Sequence, residues 1–210
     1  KIDAGSYLVT VNFSHSNTNY NKIPSMTREL KIDQKIINLS FENKTTEYDG
    51  LSKFIYVEGD LPLGYTVSYL NNGVTQSGKH TVTASFNNQS SNYVSLGELK
   101  ALLTIEKANY DLTSFSLSDK TVFYNANEQG LSLSGSLPLG LSVNLSGSKQ
   151  TNVGTYIVTA SFTNTDSNYN DVSNLSPTLN IIKGDYDMSL VTFRDKTLVY
   201  DSLEKELTID

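Results

Sequence analysis

The chain has 210 residues with 16 basic and 22 acidic side chains, and its net charge of -6 argues against a nucleic-acid partner, which would want a basic face. It holds no Cys and 2 His, which excludes disulfides, thiolate metal sites and cysteine nucleophiles and leaves little for imidazole chemistry. Hydrophobic content of 38% with 13 Tyr and 8 Phe can still build cores. No apolar run approaches the roughly 20 residues of a membrane span, so no membrane insertion is expected in this segment.

In chain order, Gly5-Ser6-Tyr7 leads into Val9, Val11 and Phe13, apolar at every second position. Such alternation predicts a strand with one buried and one polar face. Tyr48-Asp49-Gly50 reads as a turn, Lys53–Val57 as a strand, Leu61-Pro62-Leu63-Gly64 as a turn and Thr66–Leu70 as a strand. After the turn Asn71-Asn72-Gly73, Gly78-Lys79-His80 opens a second alternating run, with Val82, Ala84 and Phe86 set against Thr81, Thr83 and Ser85. A turn at Asn92-Tyr93 and a strand at Leu99–Ile105 follow. The series then returns 76 residues later, with Gly154-Thr155-Tyr156 before Val158, Ala160 and Phe162. No window shows an amphipathic helix. Six or seven short strands in about 76 residues predict a small antiparallel β-sandwich, so the fold class is all-β.

The recurrence defines the organisation. Phe13, Phe86 and Phe162 match, as do Asn19-Tyr20, Asn92-Tyr93 and Asn168-Tyr169, then Ile32, Ile105 and Ile181, at offsets of 73 and 76 residues. Phe41, Leu117 and Phe193, then Tyr48, Tyr124 and Tyr200, keep an offset of 76 at both steps. Three residues are therefore missing between Ile32 and Phe41, which marks an inter-unit junction because loops tolerate length change and packed strands do not. The expected domains are 1–36, the C-terminal part of a repeat; 37–110 and 111–186, two complete repeats; and 187–210, the N-terminal part of a further one. The junctions Lys107–Ser114 and Lys183–Ser189 are alike and carry Tyr110 and Tyr186, whereas the shorter first junction lacks that Tyr and is expected to set a different angle.

Gly-x-Tyr before an alternating strand resembles the tyrosine corner of immunoglobulin-like sandwiches, in which the hydroxyl bonds back to the backbone. Tyr7 and Tyr156 fit, and His80 departs, as a corner substitute or a solvated side chain. Together Tyr48-Asp49-Gly50, a Leu-Pro-x-Gly turn, Gly154-Thr155-Tyr156-Ile157-Val158-Thr159-Ala160 and Asn168-Tyr169 resemble the bacterial Ig-like repeats of the MBG and YDG type. The resemblance spans essentially the whole chain. It implies tandem Ig-like repeats on a secreted or cell-surface protein, a stalk, adhesin or matrix component rather than an enzyme. Tyr124-Asn125-Ala126 and Tyr200-Asp201-Ser202 depart from the Tyr-Asp-Gly form, so a different turn geometry is expected there.

Other constellations have plainer readings. Asp166, Asn168, Asn170 and Asp171 crowd one loop with oxygen donors suited to Ca²⁺, but the equivalent loops at Asn19 and Asn92 lack that density, and Asx turns build such loops routinely. Lys44, Lys120 and Lys196 each follow Asn or Asp, as in sandwiches that crosslink Lys to Asn. The one plausible partner, Asn180, aligns with Thr104 and Lys31, so a solvated turn is the expectation. Leu61–Gly64 and Leu137–Gly140 are turns rather than sortase signals, and the sequons at Asn12, Asn38, Asn43, Asn88, Asn144 and Asn174 are expected by chance in a chain rich in Asn and Ser. No Gly-x-Ser-x-Gly, P-loop, dinucleotide fingerprint or His-Glu-x-x-His is present. No catalytic, cofactor-binding or metal residue is therefore assigned, and no cofactor is expected.

Three functions remain in view. The leading one is a non-catalytic extracellular spacer or stalk of a bacterial cell-surface or adhesin-like protein, whose partners are neighbouring repeats of the same or an identical chain. The second is a filament or matrix subunit: 1–36 carries only last strands and 187–210 only first strands, which most simply makes the chain a window on a longer array and alternatively lets the ends of neighbouring chains combine into one composite sandwich. The third is a module that recognises a surface glycan or host protein through its loops, although the lack of Trp weakens a sugar-stacking face.

Overall fold

The computed structural model describes residues 1–87 and 90–209. The described residues form an all-β chain of two compact units, Lys1–Tyr110 with Asp166–Asn170, and Asp111–Thr165 with Asp171–Asp210. The sequon Asn88 lies outside the described residues.

In unit 1, β1 (Gly5–Val11) and β2 (Met26–Ile32) form an antiparallel ribbon in which Gly5 faces Ile32 and Val11 faces Met26. A four-stranded sheet follows, built from β3 (Lys44–Glu47), β4 (Thr66–Leu70), β5 (Gly78–Asn87) and β6 (Leu99–Glu106) in the order β3-β6-β5-β4. The period-two pattern decides which face is dry: Val82 and Ala84 on β5 and Ala101, Leu103 and Ile105 on β6 are buried. Ile55, from outside the sheet, completes this core, and Phe41, Tyr48, Val74 and, from β4 itself, Tyr69 pack against it.

The opposing layer is not the strand expected at Lys53–Val57. Only isolated bridges occur there, Lys53 with Val74 and Ser40 with Glu58. A side chain has replaced the ladder: the Ile55 N–H donates to Asn72 Oδ1 (3.0 Å), and Asn72 Nδ2 donates to the Ile55 carbonyl (2.8 Å). The Val57 N–H likewise donates to the Tyr69 hydroxyl at 2.9 Å. A buried amide needs a partner but does not need a neighbouring strand to supply it.

The strand pairing is also not purely antiparallel. β3 runs parallel to β6, Lys44 opposite Leu103, and unit 2 repeats this with β8 parallel to β15, Lys120 opposite Leu179. A parallel pair needs a long crossover rather than a hairpin, and the first and last strands of a unit are far enough apart in sequence to allow it. Lys44 and Lys120 therefore open edge strands instead of sitting in solvated turns. The residue before each bonds the adjacent backbone: the Leu102 N–H donates to Asn43 Oδ1 and the Thr178 N–H to Asp119 Oδ1, both at 2.7 Å.

Unit 2 is more divided. Its strands are β7 (Phe115–Ser116), β8 (Lys120–Phe123), β9 (Gln129–Gly130), β10 (Ser134–Gly135), β11 (Leu141–Ser146), β12 (Lys149–Gln150), β13 (Gly154–Ile157), β14 (Thr159–Asn164) and β15 (Thr178–Ile182). They pair as β13-β15-β8, β11-β14, β10-β7 and β12-β9. Where β5 is continuous, its counterpart breaks at Val158 into β13 and β14. Pro177 occupies the place of Ala101, and without an N–H it can accept from Val158 (2.8 Å) but cannot donate in return. The ladder resumes at Ala160, which exchanges both bonds with Leu175. The strand expected over 175–181 is thereby confined to β15. Leu131, Val158, Leu179 and Ile181 form the core, with Val122, Leu145 and Tyr156 packed on it.

The Tyr-led turns keep one geometry, contrary to expectation. Gly50, Ala126 and Ser202 all take positive φ, at 80°, 61° and 63°. The preceding residue holds the turn as an Asx turn in every copy: Leu51 donates to Asp49 Oδ1, Asn127 to Asn125 Oδ1 and Leu203 to Asp201 Oδ1. The geometry is kept although the glycine is not, at a steric cost of about 1 kcal/mol per non-glycine residue. Ala126→Gly should raise unfolding stability by about 1 kcal/mol in denaturant titration. Asn72→Leu, which leaves both Ile55 backbone groups without their partner, should cost about 2 kcal/mol and speed hydrogen exchange at the Ile55 amide.

Candidate functional site

Glycine-led tyrosines open the central strands. The Tyr7 hydroxyl donates to the Asp3 carbonyl (2.9 Å) and the Tyr156 hydroxyl to the Asn152 carbonyl (3.0 Å), each four residues back. His80 Nε2 meets the Gln76 carbonyl at 2.9 Å, also four residues back. A carbonyl can only accept, so Nε2 carries the proton, and His80 acts as a corner substitute. The ring lies over the glycine two residues earlier: a Cβ on Gly154 would stand 3.0 Å from the Tyr156 hydroxyl oxygen. Tyr156→Phe should cost about 1 kcal/mol, His80→Tyr should leave unfolding stability unchanged or raised, and His80→Phe should lower it as Tyr156→Phe does.

The more elaborate constellation is built on the Asn-Tyr turns. In unit 1 the turn at Ser90 brings Asn92 against the ribbon, where the Ala4 N–H donates to Asn92 Oδ1 (2.6 Å) and Asn92 Nδ2 donates to Asp3 (2.9 Å). Beside it the backbone forms a short ladder, with the Lys35 N–H donating to the Asn92 carbonyl and the Val94 N–H to the Lys35 carbonyl. The pentapeptide Asp166–Asn170, also part of unit 1, makes the same set of bonds. The Ser77 N–H donates to Asn168 Oδ1 (2.8 Å), the Ala108 N–H to the Asn168 carbonyl (3.0 Å) and the Asn170 N–H to the Ala108 carbonyl (2.9 Å). Tyr169 completes it by inserting between two rings, stacked on Tyr110 at 4.4 Å and edge-on to Tyr48 at 5.5 Å. Each such ring pair contributes about 0.5–1.5 kcal/mol beyond its buried area.

This clasp accounts for the oxygen-rich loop. Asp166 Oδ1 accepts from the Asn168 N–H and Nδ2, Asn168 Oδ1 accepts from Ser77, and Asn170 Nδ2 donates to Asn109 Oδ1. Asp171 Oδ1 accepts from Asn164 instead. The oxygens are turned to separate protein donors rather than to a common point. The candidate crosslink is likewise dispersed: Lys120 Nζ donates to the Gly130 carbonyl, while Asn180 Oδ1 accepts from the Thr155 hydroxyl. Among the described residues no group of three or more His, Cys, Asp or Glu side chains is placed to hold a metal ion.

Two further copies of these groups occur. The turn Asn17–Tyr20 has the same form, with the Asn19 N–H donating to Asn17 Oδ1 and the Tyr20 N–H to the Asn17 carbonyl, yet the Tyr20 ring is 72% exposed. In unit 2 the receiving groups recur as Tyr124, Val153, Gly184 and Tyr186 and line an open cavity of about 420 Å³. Tyr186 there is 93% exposed. At the rim, hydrogen bonds from the Ser189 hydroxyl and N–H hold the Asp187 carboxyl below its ordinary value. Sequence reasoning marked the Asn-Tyr pairs as turns and missed the clasp. Their strict recurrence in loops, where length and composition otherwise drift, was the available signal.

No protein-family model matches the chain. No curated protein matches it either. Among solved structures, a crystal structure of Drosophila N-cadherin EC1-3 is similar over 76% of this chain and 74% of its own, at 8% identity and a TM-score of 0.24.

Proposed function

We propose that the chain is a non-catalytic, load-bearing spacer of an extracellular, cell-surface or adhesin-like protein, built from tandem Ig-like repeats of about 76 residues of the bacterial MBG/YDG kind. One observation carries this reading. The first strand of a repeat pairs in parallel with its last, as β3 with β6 and β8 with β15. Tension entering at one end of a repeat and leaving at the other pulls such strands past one another. All their hydrogen bonds are then loaded together, instead of opening one at a time as in a hairpin pulled from its open end. The Asn-Tyr clasp supports the same reading, since it uses side chains and backbone to hold recurring loops rather than to line a reaction cleft. The neighbouring repeats are the proposed partners, and the cell exterior is the proposed location.

Force-extension measurement on single chains tests it. Discrete unfolding events are expected, each releasing roughly 25 nm of contour, the extended length of a 76-residue repeat. Extension at low force without discrete events would sink the load-bearing reading. Specific capture by a glycan or cell-surface protein that loop substitutions abolish would favour a recognition module instead.

A further inference from the structure

We propose that unit 1 binds a neutral saccharide in the groove between residues 42–44 and 54–58, with Phe54 and Tyr56 as its stacking platform. The groove lies outside the turns, and its side chains take no part in the β3–β6 ladder, so binding here goes beyond the spacer reading without displacing it.

Alternation makes the platform. Ile55 is turned into the core, so the residues on either side of it, Phe54 and Tyr56, share the outward face. Their rings stack at 6.1 Å with planes 2° apart, and Tyr56 also meets Tyr69 edge-on at 5.6 Å. Phe54 is seated over Gly73, where a Cβ would stand 2.7 Å from its Cε1. The pair is thus held in place, yet Phe54 stays 45% and Tyr56 60% exposed. The core does not require these rings. At the same positions 76 residues on, Gly130 and Ser132 flank a buried Leu131, and Lys149 stands in place of Gly73. Lys120 Nζ there donates to the Gly130 carbonyl, whereas its counterpart Lys44 makes no hydrogen bond or ion pair among the described residues. All of the groove's groups fall within the 37–110 repeat, so it needs no neighbouring repeat to form.

The polar groups around the rings select the ligand. The open volume is about 410 Å³, within the range of about 300–1,000 Å³ that small-ligand sites occupy. Glu42 and Glu58 bring carboxylates with no side-chain partner among the described residues. Asn43 keeps its Nδ2 after Oδ1 accepts from Leu102, and Lys44 adds an ammonium. The carboxylates only accept, while the ammonium and the amide nitrogen only donate, so the lining suits a ligand whose polar groups do both. A hydroxyl is such a group. The rings in turn suit a flat C–H face, and an equatorially substituted pyranose joins the two features. A cationic side chain would satisfy Glu42 and Glu58 but meet Lys44, which disfavours it.

Titration of the whole chain with cellotetraose and with chitotetraose, followed by amide NMR, tests the proposal. The groove is open, so a dissociation constant on the order of 1 mM is expected, with shifts centred on residues 42–44 and 54–58. Tyr56→Ser, which installs the residue that unit 2 carries at this register, should weaken binding about tenfold. Glu58→Ala leaves the backbone pairing with Ser40 in place and should weaken binding about as much, which covers the case in which Tyr56→Ser loosens the fold. No shift in the groove with either oligosaccharide at about 20 mM overturns the proposal. So do shifts that both substitutions leave unchanged. Tighter binding of an Arg-Gly-Arg peptide than of either sugar overturns it too, and assigns the groove to a cationic segment of a partner. None of these outcomes alters the unfolding events expected under tension, so the spacer reading is tested separately.

Discussion

Small β units have few strands and therefore few ladder positions, and each buried backbone amide left over must find a partner elsewhere. This constraint explains the use of polar side chains throughout the chain. Asn72 takes both backbone groups of Ile55, Asn43 and Asp119 take amides on the neighbouring last strand, and Tyr7, His80 and Tyr156 tie the start of each central strand to a carbonyl four residues earlier. The same device, applied by Asn92 to Ala4 and by Asn168 to Ser77, makes the clasp. Asparagine suits this work because one short side chain both donates and accepts.

The two units solve the problem with different backbones. Unit 1 keeps an unbroken β5 and a four-stranded sheet, whereas Pro177 in unit 2 withdraws one donor and the corresponding strand divides around Val158. The hydrophobic side of the account barely changes. Val82, Leu103 and Ile105 in one core and Val158, Leu179 and Ile181 in the other are almost wholly buried. Side-chain burial follows the alternation of the sequence, and the ladder adapts around it.

The parallel pairing of a repeat's first strand with its last, β3 with β6 and β8 with β15, is the contact on which the proposed load-bearing role rests. The Asn-Tyr turn is equally economical in its geometry. Each copy is bonded internally, as Asn19 N–H to Asn17 Oδ1 and Asn168 N–H to Asp166 Oδ1, so the loop is ordered by its own side chain.

Much of this was legible in the residues themselves. Alternation at Val82-Ala84-Phe86 and at Val158-Ala160-Phe162 marks the central strands because a pleated backbone sends neighbouring side chains to opposite faces. Recurrence of Gly-x-Tyr, Asn-Tyr and the Tyr-led turn marks the repeated architecture. The parallel pairing, the loss of the strand at Lys53–Val57, the positive φ kept at Ala126 and Ser202, and the clasp were not legible. Each depends on which backbone groups are left unpaired once the layers have met. Local pattern decides which face of a strand is apolar, because that is a property of neighbours in sequence. Only the tertiary structure decides which distant side chain answers an orphaned amide, because that partner is brought near by folding alone.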